Sequence, residues 1–375
     1  MKKLLISVTH AGMGGVAKHV IEISKFMIQN KGWEVDIAVG LSKSELIDEL
    51  KLSATKVFTL NSLKREIFPF DDIRAYFSIM DIIKRNNYHL VHSHGPKAGF
   101  ITRLAAHNLS VKNIYTHHLI VYNQSESIMN PFYKCLEKKA ARWCDKIIVV
   151  SSINKNILVK DKIADPDKIE VIYNWAENKV KYSRNEARNI LRISPEEFVI
   201  LSIMRLQEPK DPLTGIKAFM LFKQQKPNSK YILIGDGPLK KEISAFIETT
   251  GLLDSVIMPG FIKDVDLYLA AADVFILTTK KEGLPISIIE AMKYGLPIIA
   301  NRVDGINEQI YEGKNGYFIN IADYQDLCNK LISIYNNKDL RTILGNESRK
   351  IYIEKFRYNS NLEKLYNLYM KVIEK

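Results

Sequence analysis

A chain of 375 residues exceeds what one hydrophobic core usually organises and suits two domains of ordinary size. Its 46% hydrophobic and 26% charged residues are those of a globular protein, and no run of eighteen apolar residues is present to span a membrane. The net charge of +12 is shared: residues 1–178 hold 25 basic and 18 acidic residues and the remainder 29 and 24. Both halves therefore favour partners that carry phosphate, whether a nucleotide, an anionic membrane face or nucleic acid; a merely soluble basic chain is the plain alternative. Three cysteines, Cys135, Cys144 and Cys328, lack metal or disulfide spacing, which suits a reducing compartment and a cytoplasmic protein.

In chain order, the opening MKKLLISV is too short in its apolar run for a signal peptide and reads as a first strand. Strands are predicted at LLISV, EVDIAV, KVFTL, LVHSH, NIYTH and KIIVVS. They are short apolar runs without alternation, as in parallel strands buried on both faces. Amphipathic helices are predicted between them, over VAKHVIEISKFMIQN and DDIRAYFSIMDIIKRN. The second half restarts with EVIYN and continues through VILSIM, YILIG, VIMPG, VFILTT, PIIAN and GYFIN. Two such series predict an α/β protein of two doubly wound domains, joined near residues 174–196, where the chain is polar. The last segment is predicted helical, with Leu362, Leu365, Tyr366, Tyr369 and Val372 on its apolar side. Ligands of such sheets bind beyond the carboxyl ends of the strands. Two domains facing each other would hold theirs in the cleft between them.

The stretch KKEGLPISIIEAMKYGLPIIA, residues 280–300, sets an acid, Glu290, in an otherwise apolar helix and a second, Glu282, in the turn before it. Pro285 suits a helix's first turn and Gly295 its end, so the N–H groups of Gly283, Leu284 and Ile286 form a phosphate site. Glu290 can accept hydrogen bonds from the two hydroxyls of a ribose, and Glu282 from those of a second polyol. Two carboxylates on either side of a diphosphate describe a nucleotide-sugar. The competing reading pairs Glu290 with a core cation. In VILSIMRLQEPKDP, Arg205 and Lys210 follow a buried strand, where they can neutralise a departing diphosphate without a metal; the plain alternative is two solvated loop cations.

THAGMGGVAKHV brings Gly14 and Gly15 to a strand–helix turn that matches neither GxGxxG nor a P-loop, and IGDGPLKKE is a second such turn. All eight histidines, from His10 to His118, lie in the first third of the chain. His92 and His94 end one predicted strand and His117 and His118 another. Without HExxH spacing or a cysteine partner, a role for His118 in steadying the reacting sugar, and for His94 towards the acceptor, is favoured over zinc. His19 reads as packing or surface. The DPD and DVD strings at 165–167 and 264–266 read as structural, the second as a helix start.

These elements also match a family. The E-x7-E pair within EGLPISIIEAMKYGLPIIA, together with RLQEPKDP, IGDGPL, GGVAKHV, HSHGPKAG followed by RLAA, and VIYN, resembles the signature of retaining glycosyltransferases of family four. These have the GT-B fold, and the likeness is to bacterial polysaccharide-type members. The resemblance implies an acceptor-binding Rossmann-like domain over 1–175, with 357–375 crossing back onto it, and a nucleotide-sugar-binding one over 176–356. It implies a UDP- or GDP-linked donor and no essential metal or other cofactor. Carried over residue by residue, Arg205 and Lys210 meet the diphosphate, Glu290 the ribose and Glu282 the sugar near its reacting carbon. Gly14 and Gly15 sit against the donor, and His118 matches the histidine of the family's T-x-H strand end. Two departures stand out. Family members often have RL-x-x-x-K-G, but Asp211 follows Lys210 here, and the usual N-G after the domain-closing strand is Asn174-Trp175.

The expected reaction is transfer of a hexose to a saccharide acceptor with retention, in capsule, O-antigen or exopolysaccharide assembly. The leaving phosphate draws the acceptor's proton, and Glu282 is not a nucleophile. Basic and aromatic segments, LKREIFPF with Lys64, Arg65, Phe68 and Phe70, and PFYKCLEKKAARWC, suit an anionic membrane surface. They fit a lipid-linked acceptor and a peripheral seat on the inner face of the membrane. A nucleotide-sugar 2-epimerase is the alternative on the same architecture, but it lacks the combination of E-x7-E with R-x4-K. A nucleic-acid-binding protein is suggested by charge alone, without recognition motifs.

Overall fold

The short apolar runs become strands. Those of the first half are β1 (Lys3–Val8), β2 (Glu34–Gly40), β3 (Lys56–Leu60), β4 (Leu90–His94), β5 (Asn113–His117), β6 (Lys146–Val149) and β7 (Ile169–Val171). Those of the second are β8 (Phe198–Ile203), β9 (Ser229–Ile234), β10 (Val256–Gly260), β11 (Val274–Leu277), β12 (Ile298–Asn301) and β13 (Gly316–Ile319). The computed structural model describes residues 1–9, 14–40, 44–64, 66–120, 122 and 130–375, without the side chains of 44 and 45. His10, Arg65 and the tip of the first glycine loop lie outside the described residues.

Among the described residues the strands form two sheets, ordered β3-β2-β1-β4-β5-β6-β7 and β10-β9-β8-β11-β12-β13, with every pair parallel. Leu4, Leu5 and Ile6 are all fully buried in succession, which requires cover on both faces of the sheet. Each order reverses once, between β1 and β4 and between β8 and β11. Loops leaving the carboxyl ends of these strands therefore flank the crevice in which doubly wound sheets bind ligands.

The chain divides into one unit of Met1–Asn174 with Asn359–Lys375 and another of Trp175–Tyr358. EVIYN, grouped above with the second series, supplies β7, the edge strand beside β6 of the first sheet. The polar stretch after it holds the helix Arg184–Leu191, opened by a Ser183–Glu186 capping box. Trp175, where the family pattern has glycine, is buried. The last helix, Tyr358–Ile373, buries Leu362, Leu365, Leu368, Tyr369 and Val372. Its Glu363 pairs with Lys31 at 2.9 Å, and Tyr366 meets Trp33 edge-on.

One ion pair of the first unit is largely buried. Arg103, on the helix Pro96–Asn108, is fully buried and grips Glu137 of the helix Asn130–Ala141 with two bonds of 2.7 and 3.0 Å. His117 Nε2 meets the same carboxylate at 3.1 Å, and the guanidinium lies 4.0 Å from the Tyr115 ring centre. Burial works against the ionised carboxylate, but Arg103 and then His117 prevail and hold it well below the usual range.

Candidate active site

The carboxyl ends of β8 and β11 are next to each other, and the loops that leave them are tied by main-chain bonds. Asp211 N–H donates to Thr278 O at 3.1 Å and Lys280 N–H to Pro209 O at 2.9 Å, around an antiparallel bridge between Lys210 and Thr279. This lattice brings Lys210 into direct contact with Glu282, Nζ against Oε1, with side chains only 19% and 12% exposed. The two loop residues read from sequence as independent binders are thus one ion pair. Arg205 lies on the same loop and is exposed. Asp211 replaces the family's glycine without disturbing the loop: it caps the helix Pro212–Gln225, accepting from Thr214 N–H at 3.3 Å and from Thr214 Oγ1 at 2.7 Å. The IGDGP turn packs on this loop from the other side. A side chain at Gly235 would stand 1.8 Å from Met204 O, so only glycine permits the approach.

Burial, and then the like charge of Arg205, push the Lys210 ammonium down to about 7. An anion held by Lys210 needs the protonated form. Affinity for a nucleotide-sugar, whose diphosphate does not titrate near neutrality, is therefore expected to weaken as pH rises through and above about 7. Lys210→Arg should flatten that profile, since a guanidinium keeps its proton. Calorimetric titration at several pH values reads both.

The helix that follows runs Ile286–Lys293, with Pro285 at its N-cap position, φ −65° and ψ 124°, and no capping side chain. Pro285 thus stands one residue outside the helix rather than in its first turn, because its extended ψ leaves the helical region. Gly283, Leu284 and Pro285 are buried, while Ile286, Ser287 and Glu290 share the half-buried face. Glu290 is therefore not the enclosed acid that the apolar sequence around it suggested, because its helical spacing from Ile286 carries it to the open side. The buried charge of this helix is Lys293, paired with Asp266. Asp264 and Asp266 of the DVD string are bound to Lys181 and Lys293, a structural use.

A supporting layer was not visible from sequence. Gly305 lies so close beneath the turn that a side chain there would stand 1.6 Å from Gly283 O. Buried Gln309 donates to Pro285 O at 3.0 Å, and Asn301 Oδ1 accepts from Thr279 N–H at 2.6 Å. The signal available was RVDG directly after the strand PIIAN, a strand–turn at the same edge of the sheet.

In the first unit, the corresponding crevice lies where β1 and β4 end. Gly14 is the N-cap of the helix Gly15–Lys31, in extended backbone that any residue adopts, so its use rests on backbone exposure alone. His118 follows β5 half-buried, its Nε2 3.0 Å from Nδ1 of His94. His94 itself is fully buried: its ring lies among those of His19, His92 and His118 and, among the described residues, is hydrogen-bonded to His118. His19 is buried beside them rather than on the surface. Burial, with the neighbouring imidazoles second, lowers His19, His92, His94 and His118, the last to about 4, so the rings are neutral at physiological pH.

Comparison with known proteins agrees in both units. The family profile described as glycosyl transferases group 1 matches residues 183–351, and that of Glycosyltransferase Family 4 matches residues 13–177. The chain is 27% identical to the Escherichia coli UDP-Gal:alpha-D-GlcNAc-diphosphoundecaprenol alpha-1,3-galactosyltransferase, over 91% of its own length and 90% of that protein's. It is 23% identical to the Staphylococcus aureus capsular polysaccharide biosynthesis glycosyltransferase CapM, over 95% and 98%. Among solved structures, Anabaena Alr3699/HepE in complex with UDP and glucose superposes with a TM-score of 0.86 at 18% identity, covering 99% of this chain and 100% of that one. The likeness is one of fold, the two-domain α/β GT-B architecture.

Proposed function

This chain belongs to the family-four, group 1 glycosyltransferases, and from that premise we propose that it moves a hexose from a nucleotide diphosphate-sugar to a saccharide acceptor in bacterial surface polysaccharide assembly. The observation that carries the reading is the Lys210–Glu282 contact, which sets a cation and a hydroxyl-binding acid side by side at the crevice of the second sheet. The diphosphate sits against Lys210, Arg205 and the uncapped amides that open the helix at Ile286, with Gly283, Leu284 and Pro285 shaping the turn. Glu290, on the half-buried face of that helix, takes the ribose hydroxyls. Glu282 takes a hydroxyl of the sugar, and Gly14, Gly15 and His118 are proposed to contact the donor as well.

Positive charge at the diphosphate stabilises the leaving group as the bond to the anomeric carbon lengthens towards an oxocarbenium-like state. The departing phosphate takes the acceptor's proton, so the new bond forms on the face the old one left and configuration is retained. Glu282, engaged by Lys210, holds substrate rather than attacking it. Lys210, Arg205 and the amides supply the charge that a metal would otherwise provide, so transfer is expected to proceed in chelator. UDP is favoured by the donor named for the Escherichia coli relative and by the UDP bound in the Anabaena protein. The first of these also favours a lipid-linked acceptor.

A membrane seat at the inner leaflet fits such an acceptor. No helix among the described residues is long and apolar enough to cross a membrane. The helix Pro69–Asn86 instead turns Phe70, Ile73 and Phe77 outward at i, i+3 and i+7, 84%, 56% and 61% exposed, with Ile67 and Phe68 exposed just before it. Exposed Arg74 lies among them, and Lys138, Lys139 and Arg142 are exposed nearby in sequence to Phe132. Flotation with anionic liposomes is expected to carry the chain at low salt and less at high salt. Phe70→Ser with Phe77→Ser should abolish it; no flotation at low salt removes the membrane seat.

The reading as a whole is tested by thermal stabilisation with UDP- and GDP-sugars, followed by mass spectrometry of polyprenyl-diphosphate saccharides incubated with the stabilising donor. Transfer of one hexose, in chelator and with the donor's anomeric configuration, is the expected result. An epimerised sugar from donor alone would establish the epimerase instead. Failure of every nucleotide-sugar to stabilise the chain would overturn the donor site.

A further inference from the structure

We propose that His19, His94 and His118 form a site for a borderline divalent transition ion, zinc above all, and that filling it withdraws His118 from the donor. The second half rests on the donor role of His118 proposed above; the first does not. One ring nitrogen from each of the three lies within 4.8 Å of the others. A tetrahedral ion with metal–nitrogen bonds of about 2.0–2.1 Å needs its ligands roughly 3.4 Å apart. A spread of no more than 4.8 Å lies within small side-chain rotations of that value.

Three features separate this cluster from a packed group of rings. His94 is fully buried, and its Nε2 has no hydrogen-bond partner among the described residues. An imidazole that donates Nδ1–H to His118 leaves that nitrogen with a bare lone pair, the form a metal binds. Next to it, His92 is pinned at both nitrogens, by Tyr369 at 2.5 Å and Thr116 at 2.7 Å, and its ring centre lies 4.1 Å from that of His94. A ring fixed in this way holds its neighbour's orientation, as supporting groups do around metal ligands. Finally, His118 is only half-buried, which leaves an entry and a fourth position for water. The trio contains no carboxylate, so it discriminates against magnesium and calcium and favours zinc, cobalt, nickel and copper.

An ion here is not the metal of the reaction, because it would occupy the ring that the donor needs. The consequence is reversible inhibition by zinc of an enzyme that works in chelator. The test uses the full chain, stripped with chelator, and cobalt as the probe. One cobalt per chain should bind with the visible bands of tetrahedral coordination, be displaced by zinc and be unaffected by magnesium. His19→Gln, checked for folding by circular dichroism, should weaken binding by at least the roughly 10- to 100-fold that loss of a mere supporting group costs. His94→Gln should do the same. A folded wild-type chain without cobalt bands, or equal binding by the His19 variant, would overturn the site. In the second arm, zinc should stop transfer by the wild type, with recovery in chelator, while His19→Gln keeps its rate and resists zinc. Undiminished transfer at saturating zinc would overturn the inhibition and leave the spectroscopic result standing by itself.

Discussion

Alanine in place of Lys210 lowers kcat/KM by about 10²–10³-fold while the chain remains folded; that is the expected result, and Glu282→Ala should match it in order. The magnitude is that of removing one preorganised group from developing charge in a water-poor site. Lys210 meets that description because it is largely buried, lies beside Arg205 and is held by backbone bonds to the neighbouring loop rather than by its own flexibility. The two residues touch, so their losses are not independent. The double variant should lose little more than the worse single one. Steady-state kinetics of the three variants, with thermal unfolding as the control for fold, measures this. Two single losses that multiply in the double variant would mean that the pair does not act as a unit, and near-normal turnover in both singles would remove the site assignment.

Gly305→Ala has the second-largest expected effect, although Gly305 is placed in no contact with substrate. Its added methyl would stand 1.6 Å from Gly283 O, a backbone atom that can yield only by moving the turn between β11 and its helix. That turn carries the amides and Glu282, and a displacement near 1 Å at a reacting centre costs about 10²-fold. KM for the donor should rise and kcat fall together, with circular dichroism unchanged. Unaltered kinetics would show that the turn is softer than its packing indicates.

How much of this was legible depended on distance along the chain. KVFTL, LVHSH, NIYTH and VIMPG became strands at the limits read from sequence, because an apolar run bounded by polar residues is a local signal. Glu282, Lys210 and Arg205 were singled out from motifs within single loops. The direct contact of Lys210 with Glu282 was not, since it arises from the adjacency of β8 and β11, strands that are 70 residues apart. Gly305, Gln309 and Asn301 escaped for the same reason: each supports a turn about 20 residues away, Gly305 by close backbone approach and the other two by a side chain bonded to main chain, and no motif within a single loop records such contacts. Whether His19 packs or faces solvent stays open in the sequence, because one helical turn decides which face a residue shows and a lone histidine in an amphipathic helix does not reveal it; the residue is buried. Glu290 was read as enclosed for the mirror-image reason.

The grip of Arg103 on Glu137 has a consequence for how the first unit comes apart. The helix Asn130–Ala141 buries little beyond Ala140 and Ala141, and by that measure it would be the first piece to fray. Its carboxylate, however, is bolted to the buried guanidinium of Arg103, and lifting the helix would carry Glu137 into water and leave that guanidinium buried without its partner. Its amides are thus bound to exchange with solvent on the slow schedule of the sheet. The depressed carboxyl keeps that bond intact in mild acid, down to pH values well under those at which an ordinary glutamate takes up its proton.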